Sequence, residues 1–181
     1  MQTIGFLELS SIAKGIQAAD ILLKAADVEL VFAKPVCPGK YSILFTGEVS
    51  AVKASLEAGM EIGGNQVVDS IVIARVHPQV IQAIGLGAEP DGIHAVGVME
   101  FFSITAAVYA ADAAVKAADV DLIDLRLGSG IGGKSFAVVT GEVAAVQEAI
   151  NCGIAAGEDK GLLVSSVVIP HPHPDLFSAL L

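Results

Sequence analysis

The sequence has no tryptophan and few aromatic residues of any kind, 5% of 181. Its apolar content, 54%, is therefore carried mainly by Ala, Val, Ile and Leu. Basic residues are also scarce. Ten Lys and Arg stand against twenty Asp and Glu, giving a net charge of −10 and a pI near 4.6. That excludes nucleic acid as a ligand class, because phosphate binding needs clustered Lys and Arg. No apolar run reaches the roughly 18 residues of a membrane helix. The start, M-Q-T-I-G-F-L-E-L, lacks the basic opening and cleavage site of a signal peptide, so a soluble, cytosolic chain is expected. There are only two cysteines, Cys37 and Cys152, and no C-x-x-C. In a reducing cytosol such a pair points to metal binding or plain burial rather than a disulfide. No Ser-His-Asp or Cys-His set can be assembled, so no enzyme is expected.

What is present in abundance is repetition. Ile4 to Ile12 matches Val96 to Ile104, and Ala18 to Leu30 matches Ala110 to Leu122, both at an offset of 92. Gly39 to Val52 matches Gly133 to Val146 at 94, and Ser70 to Pro78 matches Ser166 to Pro174 at 96. A repeat covering nearly the whole chain is a duplication. Two domains follow, residues 1–88 and 93–181, with Gly85 to Gly92 as the linker. A mean hydropathy of +0.69 implies that each buries much of itself, in a core or against partners.

Each copy carries the same pattern. Thr3 to Leu9 alternates as a strand. Ser10 or Ser11 caps a helix to about Ala25, with Ile12, Ile16, Ala19, Leu22 and Leu23 near helical spacing. Strands follow at Val28 to Val36 and Tyr41 to Thr46, then a helix from Glu48 to Gly59 with Val49, Val52 and Leu56 inward. Val67 to Val76 is a fourth strand, and His77-Pro78 opens a short terminal turn. The second copy places strands near His94 to Glu100, Asp121 to Leu127, Lys134 to Thr140 and Leu163 to Ile169. The order β-α-β-β-α-β predicts an α+β fold, two tandem ferredoxin-like units with helices on one face of an antiparallel sheet.

The short stretch Val36-Cys37-Pro38-Gly39-Lys40 joins two of these strands. Proline fixes its own φ and biases Cys37 toward extended geometry, and glycine permits a tight turn. A thiol on a short, stiff loop can ligate a metal, or can pack as a small hydrophobe. The matching loop of the second copy, Gly128-Ser129-Gly130-Ile131-Gly132-Gly133 before Lys134-Ser135, approaches the phosphate-loop pattern. A phosphate loop needs a helix after it, and here a strand is expected, so nucleotide binding is not read from it.

These residues resemble a known family. The G-x-x-E-x-x-S-I opening, the D-x-x-x-K-A-A-D-V helix end, the G-K turn, the G-E-V-x-A-V helix start and the I-P-x-P-H-like ending are similar to the shell-protein domain of bacterial microcompartments. Two such domains resemble the trimeric, pseudohexameric shell proteins. The C-P-G-K and G-I-G-G-K loops are similar to those of the iron–sulfur members found in propanediol-utilisation compartments. The resemblance implies a homotrimer shaped as a six-sided tile, with both loops facing its axis. It implies one [4Fe–4S] cluster per trimer, held by one Cys37 from each chain. A lone loop thiol cannot by itself supply the usual four cysteines. Ser129 to Gly133 would then shape the approach to the cluster.

The resemblance also places Lys24 and Lys116 on the tile edge, against neighbouring shell proteins. Arg75 and His171 occupy the family's edge-basic position, in altered settings, I-A-R-V-H-P and I-P-H-P-H-P. Read without the family, Lys24 with Asp20 and Lys116 with Asp112 are ordinary helix-surface ion pairs. The prolines flanking His171 and His173, with no cysteine near, argue against a metal pair there. Glu8 and Glu100 recur at equivalent places and read as fold-level hydrogen-bonding groups. Cys152 stands opposite Ala58 and reads as core packing. The expected function is a shell protein carrying electrons across the shell, in exchange with an encapsulated oxidoreductase. The rivals are a metabolite-transport tile without a cluster, a store or delivery point for clusters, and a nucleotide-binding regulatory trimer.

Overall fold

The computed structural model describes residues 3–85 and 94–176. The linker expected over Gly85 to Gly92 lies, from residue 86 onward, outside the described residues. Two compact units are present, dividing between Val76 and His77.

The first unit runs β1 (Thr3–Leu9), α1 (Ile12–Ala25), β2 (Val28–Val36), β3 (Lys40–Gly47), α2 (Val49–Gly63), a short 3-10 turn and β4 (Val67–Ile73). Its sheet has the order β2-β3-β1-β4, antiparallel throughout. α1 starts where Ser11, in extended geometry, turns its Oγ to accept the Lys14 N–H at 3.3 Å. That satisfies one of the orphan donors of the first turn. Leu7, Leu9, Ile43 and Phe45 face α1 and α2, where Ala18, Leu22, Val52 and Leu56 close the core. β1 is buried along its whole length, so it reads as a central strand covered on both faces rather than an alternating one.

The second unit repeats this plan with one addition at its start. α3 (Pro78–Gly85) precedes β5 (Ala95–Phe101), α4 (Ile104–Ala117), β6 (Val120–Leu127), β7 (Ser135–Gly141), α5 (Val143–Glu158) and β8 (Leu163–Ile169). The sheet order is β6-β7-β5-β8. Ser103 caps α4 as Ser11 caps α1, its Oγ accepting from the Ala106 N–H at 3.2 Å. α4 and α5 pack closely because Gly153 has no side chain. A Cβ there would stand 2.5 Å from Met99 Sδ and 2.9 Å from the Ala110 carbonyl oxygen. On the face away from the helices, Val96, Ile123 and Val138 form a second cluster with Val98 and Phe136.

The tandem ferredoxin-like reading is therefore the observed fold, with three local differences. His77-Pro78 opens a two-turn helix, not a short turn. Ile12, Ile16, Leu23 and Val49, placed inward by their spacing, are exposed. The core stripe of α1 is instead Gly15, Ala18, Ala19 and Leu22, small residues that let the helix lie close to the sheet. Cys152, read as core, is only partly buried on α5. It lies off the buried stripe of Val146, Ala149, Ile150 and Gly153.

Gly153→Val should be overpacked against Met99 and Ala110, costing about 1–3 kcal/mol. Gly132→Ala, in open space at φ 67, should cost only the left-handed strain of ~1 kcal/mol. Urea midpoints of the two variants check the ranking.

Candidate functional site

Both loops singled out in the sequence are hairpin tips at the same end of equivalent strand pairs. β2 and β3 are paired up to Val36 opposite Lys40. Gly39 N–H donates to the Val36 carbonyl at 2.9 Å, closing a four-residue turn with Cys37 and Pro38 at its centre. The Cys37-Pro38 peptide is cis, so the turn is of the type that carries cis proline at its third position. Gly39 takes φ 99, a conformation that a side chain disfavours. Val36 is buried and anchors the turn. Cys37 is a free thiol, partly exposed, and Pro38 and Gly39 are exposed.

The second tip is longer. β6 and β7 pair up to Leu127 opposite Ser135. Gly128 N–H donates to the Lys134 carbonyl at 3.2 Å, and Lys134 N–H to the Ile131 carbonyl at 3.3 Å. Gly128, Gly130, Gly132 and Gly133 all have positive φ. Ser129 and Gly132 are exposed, and Ile131 is partly so. The run from Gly128 to Ser135 in fact satisfies the G-x-x-x-x-G-K-S spacing. Strands flank it on both sides, so there is no helix N-terminus to receive a phosphate.

Each tip is tied to the sheet by a buried or half-buried ion pair. Lys40 Nζ donates to Glu8 Oε2 at 2.8 Å, and Ser42 Oγ lies 3.4 Å from the other carboxylate oxygen. Glu8 is 5% exposed on its side chain and Lys40 24%. Lys134 pairs with Glu100 in the same way. Sequence reasoning gave both glutamates a hydrogen-bonding role but did not name the partner. The signal was there, since Lys40 and Lys134 repeat together with Glu8 and Glu100.

Lys24 lies on the surface of α1 with its ammonium 2.7 Å from Asp20. Lys116 pairs with Asp112 on α4. Arg75, at φ 55, and His171 are exposed beyond the ends of β4 and β8. Cys152 lies far in sequence from either tip. Its Sγ is 3.4 Å from Glu148 Oε1, and that carboxylate raises the thiol's pKa. Among the described residues, no three His, Cys, Asp or Glu side chains converge on a metal-sized site. No described helix is long and apolar enough to cross a membrane.

The repeated hairpin scaffold with divergent tips agrees with comparison to known proteins. The BMC domain profile matches twice, over residues 3–76 and 95–172. The chain belongs to the BMC-domain family, as a tandem shell protein of bacterial microcompartments. The shell protein is 42% identical to the bacterial microcompartment shell protein PduT of Citrobacter freundii, over 97% of this chain and 96% of that one. A crystal structure of a microcompartment protein from Desulfitobacterium hafniense superposes with a TM-score of 0.92 at 47% identity. The match covers 98% of this chain and 99% of that one. The shell protein EutM of Salmonella typhimurium is 44% identical over 85 residues, 46% of this chain and 85% of its own. Half of this shell protein thus corresponds to most of a shorter relative.

Removing Glu8 leaves the half-buried Lys40 ammonium unpaired. Glu8→Ala should cost about 2 kcal/mol, whereas Lys24→Ala on the open surface should cost under about 1 kcal/mol. Urea denaturation of both variants measures the difference.

Proposed function

We propose that this shell protein forms a homotrimeric, six-sided tile whose axis carries one [4Fe–4S] cluster, and that the cluster passes electrons across the shell. The observation that carries the reading is the placement of Cys37. It is a free, partly exposed thiol at the tip of a tightly closed hairpin, and the second repeat has only glycine-rich backbone at the equivalent tip. One chain offers one thiolate there, short of the four that such a cluster ordinarily takes. In this reading three symmetric copies meet at their tips and would supply three thiolates, leaving one iron without a cysteine.

When bound, the cluster supplies one-electron chemistry. The chain's own residues hold and shield it. Cys37 ligates, and Val36 anchors the turn in the sheet. The Glu8–Lys40 pair fixes the hairpin's base. Ser129 to Gly133, the axis loop of the second repeat in this reading, limit solvent approach, and solvent exposure is one determinant of a cluster's potential. Lys24, Lys116, Arg75 and His171 meet neighbouring shell proteins at the tile edge. The electron partner is an encapsulated oxidoreductase. Cluster storage or delivery uses the same ligands, and a tile that passes metabolites uses the same axis without a cluster. No catalytic residue is assigned, in keeping with the structural role of the family.

Iron and acid-labile sulfide per chain, with an EPR spectrum after reduction, test the proposal on anaerobically purified protein. About four irons per three chains are expected, lost in Cys37→Ser and kept in Cys152→Ser. Wild-type protein that stays colourless after anaerobic reconstitution would leave a metabolite-passing tile with a thiol-lined axis.

A further inference from the structure

One corner of the second unit departs from its twin at every position. After Gly63 the first unit reaches β4 through Gly64-Asn65-Gln66. After the equivalent Gly157 the second unit reaches β8 through Glu158-Asp159-Lys160-Gly161-Leu162. The two segments occupy the same place in the fold. Ser10 N–H donates to the Gln66 carbonyl at 2.8 Å, and Phe102 N–H donates to the Leu162 carbonyl at 3.0 Å. A polar pair, Ser10 and Gln66, is thus replaced by an apolar pair, Phe102 and Leu162. Two acidic residues also enter beside it.

Leu162 is 74% exposed and Phe102 57%, the two most exposed large apolar side chains among the described residues. Apolar residues scattered singly over a surface are ordinary, but here two are joined through their backbones. The segment that carries Leu162 is held down. Gly161 N–H donates to the Gly157 carbonyl at 3.1 Å. A Cβ on Gly161 would stand 2.6 Å from Ser103 Cβ, so the chain lies tight against the start of α4. Lys160 is folded back, its ammonium 5.1 Å from the centre of the Tyr109 ring. Glu158 and Asp159 are exposed, and neither is in an ion pair among the described residues.

We infer that this corner, Phe102 and Leu162 with Glu158 and Asp159, is a docking site for a peptide segment of another protein, one that presents an apolar side chain beside Lys or Arg. The apolar pair calls for an apolar anchor. The two bare carboxylates favour a cation next to that anchor and steer basic partners toward the corner. A second copy of this chain has little to offer it. The chain has ten basic residues against twenty acidic ones. Lys24, Lys40, Lys116, Arg126 and Lys134 are already paired with carboxylates. An anionic lipid surface is repelled by the same two carboxylates. The site goes beyond the cluster reading and does not depend on Cys37.

Fluorescence anisotropy with a labelled peptide tests this on the full chain. The probe carries a Leu-Leu pair flanked by Lys in a Gly-Ser context, and its control has Glu in place of Lys. The Lys peptide should bind saturably, and the Glu peptide about tenfold more weakly or worse. Phe102→Ser combined with Leu162→Gln installs the residues that the first repeat has at these places. That double variant should weaken the Lys peptide about tenfold. Glu158→Gln with Asp159→Asn should weaken it several-fold and flatten its salt dependence. Val49→Ser, which removes an exposed apolar side chain from α2, should leave binding unchanged, as should Cys37→Ser. Melting curves by circular dichroism check that the variants fold. A Lys peptide that never saturates, or whose binding ignores both double variants or falls equally with Val49→Ser, would overturn the site. Self-association of the wild type that disappears in Phe102→Ser with Leu162→Gln would also overturn it, by assigning the corner to a second copy. Binding to anionic vesicles that disappears in the same variant would overturn it in favour of a lipid surface.

Discussion

An edge strand beside an apolar helix face must be covered, and much of the chain's burial follows from how that is done. β6 presents unpaired backbone groups along its outer side, and α4 presents an apolar stripe next to it. The α3 segment answers both, with Gln79 on a strand N–H and Val80 and Ala83 buried. Uncovered edges invite pairing with other chains. Within the second unit that edge is closed by α3, and the corresponding apolar positions of the first unit, Ile12, Ile16, Leu23 and Leu30, are exposed.

The same logic of duplication separates scaffold from function at the hairpin tips. Both tips are held by a Glu–Lys pair reaching from the first strand of the unit to the first residues after the loop. That pair, together with the serine caps of α1 and α4, is retained in both repeats. What differs is the tip itself. One is four residues closed by proline and glycine around a thiol. The other is a run of glycines in left-handed conformations that few other residues adopt at low cost. A repeated frame thus carries two chemically different tips, and only one of them bears a free thiol.

Much of this was legible in the residues. The repeat gave the two units, and the bounds of β1, α1, β2 and β8 follow from pattern and caps as they stand in the structure. The tip position of Cys37 was legible because strands with turn residues between them leave little freedom. Three things were not. Helical spacing could not tell which apolar stripe of α1 faces the core, because alanines pack a close helix as well as larger residues do. Ile16 and Leu23 share the helical spacing of the core residues and yet are exposed. The proline after His77 looked like an ending, yet proline is also favoured in a helix's first turn. Cys152 looked like core from its alanine counterpart, but a residue one step off the buried stripe of α5 need not share its burial.

The account stands on the proposal that one Cys37 from each of three chains holds a single shared cluster. Native mass spectrometry of anaerobically reconstituted protein measures this directly. The proposal predicts a three-chain species heavier than three polypeptides by one [4Fe–4S] unit. Three-chain species of bare polypeptide mass, or iron and sulfide carried by single chains, would contradict it.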